Sequence, residues 1–418
     1  MTVKSLLPKD LHVVKGEIDP DSQDASRAMA EDQGRTVFFE SLNGRKAVGN
    51  LFSTREKIAA ALGVEPSDFM AMFSDAIDNP VPTKVAKDAP FRKNVLEKDL
   101  TKLPICKYYP GDRGRYIASG VVVAERDGKR NVSFHRMLIA GKDRIAIRLV
   151  PRHLFTMHKA ALEAGEDLKV SICIGARPEV LLSAAVSTDY GKDELEIASA
   201  MHKAAFGKPL PVGRTDNGLL VPMADYVIEG RITAETMDEG PFVDITGTYD
   251  EVRKQPVIEV DKIWSCDDPV MHLLLPGGNE HFLFMGMPRE PMIFKTVRQA
   301  VPRVHGVRLT EGGCCWLNGV VSITKNKEGD GVNAIMAAFT GHPSMKNVVV
   351  VDADVDIHDD RAVEWAVATR FQADRLVVVK DAAGSSLDPS ADGTTCKMGI
   401  DATLPLGRDL TLFKKATL

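Results

Sequence analysis

The sequence predicts a mixed α+β protein in three parts: an α/β segment over residues 1–110, a strand-rich, barrel-like segment over 111–295 and a second α/β segment over 296–418. Three observations carry this expectation. Strand and helix patterns mix near both ends, strand patterns separated by turns crowd the middle, and a proline-punctuated connector divides the first two parts.

In the first part, "RTVFFESL" and "KAVGNLF" read as strands. "STREKIAAALGV" reads as a helix capped by Ser53 or Thr54 and stopped by Gly63. The connector "NPVPTKVAKDAPFRKNVLEKDLTKLPICKYYPGDRG" follows, and Pro110, Gly111 and Gly114 set the boundary near residue 110. The middle part offers "YIASGVVVAER", "NVSFHRMLIA", "RIAIRLV", "KVSICIGA", "YVIEGRITAE", "FVDITGTY" and "PVIEVDKIW" as strands. Two helical stretches interrupt them, "PRHLFTMHKAALEAG" and "DELEIASAMHKAAFG". In the last part, "NGVVSITK", "NVVVVDADVDI" and "RLVVVKDA" are strands, and "DDRAVEWAVATRF" is a helix capped by Asp359 or Asp360. The tail "CKMGIDATLPLGRDL" reads as loop.

Composition excludes several classes of function. A net charge of -5 argues against a general nucleic-acid binder. No stretch approaches the ~18 uncharged apolar residues of a membrane helix. "MTVKSLLPKDLHVVKGE" has no secretory apolar run, so a cytoplasmic protein is expected. Cys106, Cys173, Cys266, Cys314, Cys315 and Cys396 form no C-x-x-C pair, which suits buried or reduced thiols. "DADVDIHDD" has calcium-loop spacing, but Ile357 stands where the loop needs Gly and Val363 where it needs Glu. There is no G-x-G-x-x-G, P-loop, G-x-S-x-G or H-E-x-x-H.

Two constellations could carry chemistry. "NVSFHR" places Asn131, Ser133 and His135 on one strand face opposite Val132 and Phe134. With His153 in "PRHLFTMH" and Glu194 or Glu196 in "KDELEIASAM", Asn131 gives one nitrogen and two oxygen ligands. That mixture suits Mn²⁺ or Mg²⁺ better than tetrahedral zinc, although spacing does not bring the residues together. In "MDEGPFVDITG", Gly240-Pro241 forces a bend between Glu239 and Asp244, the latter expected on the following strand. Two such acids can divide proton work when an arginine holds one ionised, and Arg136 is the candidate.

Nine stretches in order, among them "AVGNLFSTREKIAAALG", "NVSFHR", "PRH", "DYVIEG", "DEGPFVDITG", "EGGCCWLNGVVSITK" and "CKMGIDAT", resemble the UbiD family of reversible decarboxylases. The resemblance implies a central split barrel of the flavin-reductase kind and prenylated FMN supplied by a separate flavin prenyltransferase. It also implies Mn²⁺ (or Mg²⁺) with K⁺ nearby, the ion's ligands being Asn131, His153 and Glu194. Cofactor contacts then fall to Asn131, Ser133, Arg136, Arg152, His153, Glu194 and Lys397. The catalytic trio becomes Glu239, Arg136 and Asp244. Arg152 stands where the fungal branch carries glutamine. The compact ending resembles archaeal-type members, implying trans-anhydromevalonate 5-phosphate as substrate and isopentenyl phosphate as product. Aromatic or heteroaromatic acids are the alternative, and an FMN oxidoreductase the rival class. For a phosphorylated acid, Arg177, Arg289 and Lys325 are the candidate cations. The family further implies a homodimer or homohexamer built through residues 296–418.

Overall fold

The computed structural model describes residues 3–414 and 416. The chain divides into two compact units, residues 1–284 and 285–418.

The first unit begins with a four-stranded sheet of His12–Ile18, Val37–Leu42, Arg45–Gly49 and Met271–His272. The two strands expected there pair antiparallel as a hairpin that turns at Asn43-Gly44, both at positive φ, as a two-residue turn of this hand requires. The expected helix is Arg55–Leu62. Its cap resolves to Thr54, whose hydroxyl accepts from the Lys57 amide, and Gly63 ends it at φ 67°.

A nine-stranded sheet dominates the rest. Its path runs through Tyr116–Ile117, Met137–Ile139, Arg144–Ile147, Arg253–Ser265, Tyr226–Glu239, Leu168–Ile174, Val121–Arg126 and Lys129–Phe134, with Asn94–Leu96 pairing Arg253–Ser265. Every pairing is antiparallel. Among the described residues the two end strands do not pair, so the barrel-like segment is an open, bent sheet. Register shifts in Tyr226–Glu239 supply the bend. Its apolar face carries Val122, Ile145, Val170, Ile172, Ile228 and Ile258, all fully buried.

One expected strand is corrected here. "FVDITGTY" pairs only at Phe242–Val243 and Tyr249–Asp250, and Asp244 lies in the intervening loop. The loop closes tightly because Gly247, at φ 74°, lets its amide reach the Asp244 carbonyl at 2.9 Å.

The second unit is a five-stranded sheet ordered Val304–Leu309, Asn318–Ile323, Asn347–Asp352, Thr395–Asp401 and Leu376–Ala382. Helices Glu290–Ala300, Asp330–Gly341 and Asp360–Arg370 belong to it, the last capped by Asp359. The tail expected to be loop contains the strand Thr395–Asp401, seated between two others. Its alternation is invisible to hydropathy because the inward positions are Thr395, Lys397, Gly399 and Asp401, while Cys396 and Met398 face out. Gly399 is required by packing: a Cβ there would lie 2.2 Å from Ile335 Cγ2.

Candidate active site

Two clusters form in the first unit. The first gathers at the open end of Lys129–Phe134. Glu194 opens the helix Glu194–Phe206, whose cap Asp193 accepts from the Leu195 amide at 2.9 Å. The Glu194 carboxylate is buried; Oε2 accepts from the Val132 amide at 2.9 Å and Oε1 from Asn131 Nδ2 at 3.2 Å. His153, first residue of His153–Glu163, brings Nδ1 to 3.9 Å from the same Oε1. Thus Asn131, His153 and Glu194, scattered in the sequence, converge.

Burial pushes the Glu194 carboxyl up to about 7. Burial and the neighbouring Arg152 charge lower His153, favouring its neutral, ligating form. A buried carboxylate with no compensating cation, a neutral imidazole and an amide oxygen fit a divalent ion with oxygen preference. Among the described residues no three His, Cys, Asp or Glu side chains form a metal cluster; the set here is two plus an amide.

Ser133 Oγ lies 3.1 Å from Asn131 Oδ1 and 2.9 Å from His135 Nε2, consistent with the shared strand face. Burial pushes His135 down to about 4, and its Nδ1 meets the Arg148 carbonyl at 2.9 Å. A neutral ring therefore carries its proton on Nδ1. Arg152 is exposed, with Nη1 donating to Ser187 Oγ at 3.3 Å.

The second cluster centres on Arg136. Its Nε and Nη2 donate to Glu239 Oε1 and Oε2, each at 2.9 Å, and Nη1 donates to Asp244 Oδ2 at 3.0 Å. Burial works against the Arg136 charge, but hydrogen bonding and attraction from the three surrounding acids outweigh it and raise its pKa. The acids differ in access: the Glu239 side chain is 0% exposed and Asp244 22%. Gly240 separates them at φ +89°, where a Cβ would stand 2.7 Å from the Glu251 carbonyl oxygen. Only glycine suits that corner.

Sequence reasoning missed four members of this cluster. Tyr116 Oη donates to Glu239 Oε1 at 3.2 Å. Asp250 Oδ2 meets Arg136 Nη2 at 2.9 Å, and Arg253 pairs with Oδ1 of the same carboxylate. Arg148 lies beside Arg136 across the strand pair. Only the cross-strand register could have flagged them, and register is not written in any one strand.

Lys397 is buried in the second unit, donating Nζ to the Met345 carbonyl at 2.9 Å and to that of Pro343. Arg177 pairs with Glu179 at 2.6 Å and Lys325 with Glu328 at 2.6 Å, so both of these candidate cations already have carboxylate partners. Arg289 sits over the Trp316 ring, 5.3 Å from its centroid.

Sequence profiles of the 3-octaprenyl-4-hydroxybenzoate carboxy-lyase N-terminal, Rift-related and C-terminal domains match residues 8–77, 83–279 and 282–402. The chain is 46% identical to anhydromevalonate phosphate decarboxylase of Methanocaldococcus jannaschii over 94% of each chain. It belongs to the UbiD family. Among solved structures, the UbiD-class enzyme HmfF from Pelotomaculum thermopropionicum with FMN superposes at TM-score 0.95 and 38% identity, covering 100% of this chain and 97% of that one. An evolved dimeric form of HmfF with prFMN gives 0.90 and 36%, covering 98% and 96%. The mixed α+β architecture is that of UbiD-class enzymes, and the chain is a carboxy-lyase. Among the described residues no helix is long and apolar enough to cross a membrane.

Proposed function

We propose that this UbiD-family carboxy-lyase uses prenylated FMN to decarboxylate trans-anhydromevalonate 5-phosphate, yielding isopentenyl phosphate. The observation that carries the reading is the buried Arg136 held bidentate by Glu239 and tied to Asp244. Similarity to the decarboxylase of that name supports the substrate, and similarity to HmfF bound to FMN or prFMN supports the flavin.

Asn131, His153 and Glu194 would hold Mn²⁺ (or Mg²⁺), and K⁺ would accompany it in the cofactor site. Ser133, Arg136 and Arg152 would complete the cofactor's surroundings within the first unit. When bound, the prenylated flavin supplies the electron sink that decarboxylation needs.

The chain's own residues do the remaining work. A guanidinium has five N–H donors. Glu239 takes Nε–H and one Nη2–H and Asp244 one Nη1–H, while Asp250 Oδ2 pairs electrostatically with Nη2 at 2.9 Å. One Nη1–H is left to orient a substrate carboxylate beside Asp244 by a charge-assisted bond. Glu239, with no exposure and with Tyr116 donating to it, positions the arginine. Asp244, in its loop and partly exposed, delivers the proton that replaces CO₂ and regains one from solvent.

A flavin prenyltransferase would supply the cofactor in the cytoplasm. Residues 1–110 would form an N-terminal α/β segment, 111–295 the cofactor- and metal-binding segment, and 296–418 the oligomerisation segment of a homodimer or homohexamer. The test is expression beside a flavin prenyltransferase with Mn²⁺ and without oxygen, then mass measurement of the bound flavin. CO₂ release from anhydromevalonate phosphate is compared with that from a panel of aryl acids. Release only from an aryl acid would replace the substrate, and NADH oxidation on unmodified FMN would replace the class.

A further inference from the structure

Arg148 is built into the catalytic cluster yet lacks a close partner. Its amide donates to the Arg136 carbonyl at 3.1 Å, next to the pair Ile147↔Met137, so the two arginines are cross-strand neighbours. Arg253 stands opposite Glu239 in the ladder between Tyr226–Glu239 and Arg253–Ser265. Asp250 lies between all three guanidinium groups. Its Oδ2 meets Arg136 at 2.9 Å and Arg148 Nε only at 3.8 Å, while Arg253 takes Oδ1. The 3.8 Å contact is beyond hydrogen-bond range, and no described side chain accepts a hydrogen bond from Arg148. Burial and the charges of Arg136 and Arg253 press against the Arg148 charge. Arg136 and Arg148 thus face Glu239, Asp244 and Asp250, while Arg253 divides its contacts between Asp250 and the exposed Glu251 at 3.4 Å. Once one of the three inner acids carries the proton it must deliver, the negative charge facing Arg136 and Arg148 falls by one. A monocarboxylate satisfies Arg136 and leaves Arg148 open; a second, doubly charged group matches the planar fork of Arg148.

We propose that Arg148, held beside Arg136 by Asp250 and flanked by Arg253, receives a phosphate monoester on the substrate and sets the preference for phosphorylated over unphosphorylated short-chain acids. This rests on the decarboxylase reading above. It names the residue that a phosphorylated substrate requires and that Arg177 and Lys325, each paired with a carboxylate, do not supply.

The test uses the cofactor-loaded enzyme, Arg148→Met and Arg148→Lys, with trans-anhydromevalonate 5-phosphate and its 5-hydroxy acid as paired substrates. Losing charge-assisted bonds to phosphate should cost about 100-fold in the ratio of kcat/KM values between the two acids. The loss should fall mainly on KM for the phosphorylated acid, with partial rescue by lysine. An equal loss with both acids, or an unchanged KM, overturns the proposal. Isothermal titration of isopentenyl phosphate provides a second readout that needs no turnover. Binding by wild type that weakens about tenfold or more in Arg148→Met supports the assignment; equal binding overturns it. If wild type decarboxylates neither acid, the reaction is misassigned, and the titration alone decides the role of Arg148.

Discussion

Arg136 and Glu239 meet through two parallel contacts of 2.9 Å, Nε to Oε1 and Nη2 to Oε2, with the glutamate wholly buried. Such a fork fixes the plane of the guanidinium as well as its position. The arginine's free N–H is therefore aimed by a residue that a substrate need not touch.

Replacing Glu239 by Gln keeps the shape but turns one of the two acceptors into a donor facing Arg136. We expect kcat to fall about 10²–10⁴-fold and the protein to lose about 3 kcal/mol, as for one partner removed from a buried pair. CO₂ release and urea unfolding measure the two. A variant with wild-type turnover would remove Glu239 from the mechanism.

Asp244→Asn should separate proton delivery from substrate binding. With the product isopentenyl phosphate incubated in D₂O, wild type should exchange deuterium into the alkene carbon that lost CO₂, and the variant should exchange at least about 100 times more slowly. NMR of the product follows this directly. Undiminished exchange would pass the proton-donor role to another group.

Glu194→Gln should abolish ordered metal binding, lowering Mn²⁺ affinity by about 100-fold or more, since outer partners alone cost 10–100-fold. Metal analysis and flavin retention report this. The metal-free protein should unfold no earlier than wild type, because a buried carboxylate without a cation is removed. A variant that keeps full manganese content would relocate the site.

Stability of the second unit should fall with acid through His342. Burial, aided by the charges of Arg289 and Lys397, pushes this imidazole down to about 3. The unfolded chain takes up a proton below its ordinary value of 6.5, while the folded chain does not. The contribution is whole above pH 6.5 and is lost between there and about 3, at about 1.4 kcal/mol per pH unit. In His342→Gln the slope of unfolding free energy with pH should flatten by that amount. Parallel slopes for wild type and variant would contradict the assignment.

The helix Arg55–Leu62 with its Gly63 stop and the hairpin at Asn43-Gly44 follow from local chemistry, since caps and turns act within a few residues. Asn131, Glu194 and Glu239 were visible as polar groups inside strong patterns. Asp250 and Arg148 were not, because neither breaks a pattern and their meaning lies in which strand stands opposite. The strand Thr395–Asp401 escaped for the converse reason: its buried side is polar or glycine, so burial left no hydrophobic trace.

The sequence by itself determined the element types wherever an apolar pattern is strong, the absence of nucleotide and zinc-protease motifs, and the acids and arginine around Gly240-Pro241. Tertiary structure alone decided that Asn131, His153 and Glu194 share one carboxylate's surroundings and that Arg136 is ringed by three acids with Arg148 alongside. The physical reason is that hydrogen bonds and ion pairs act over a few ångströms of space. Strand register, set by the whole buried sheet, determines which distant residues come within that reach.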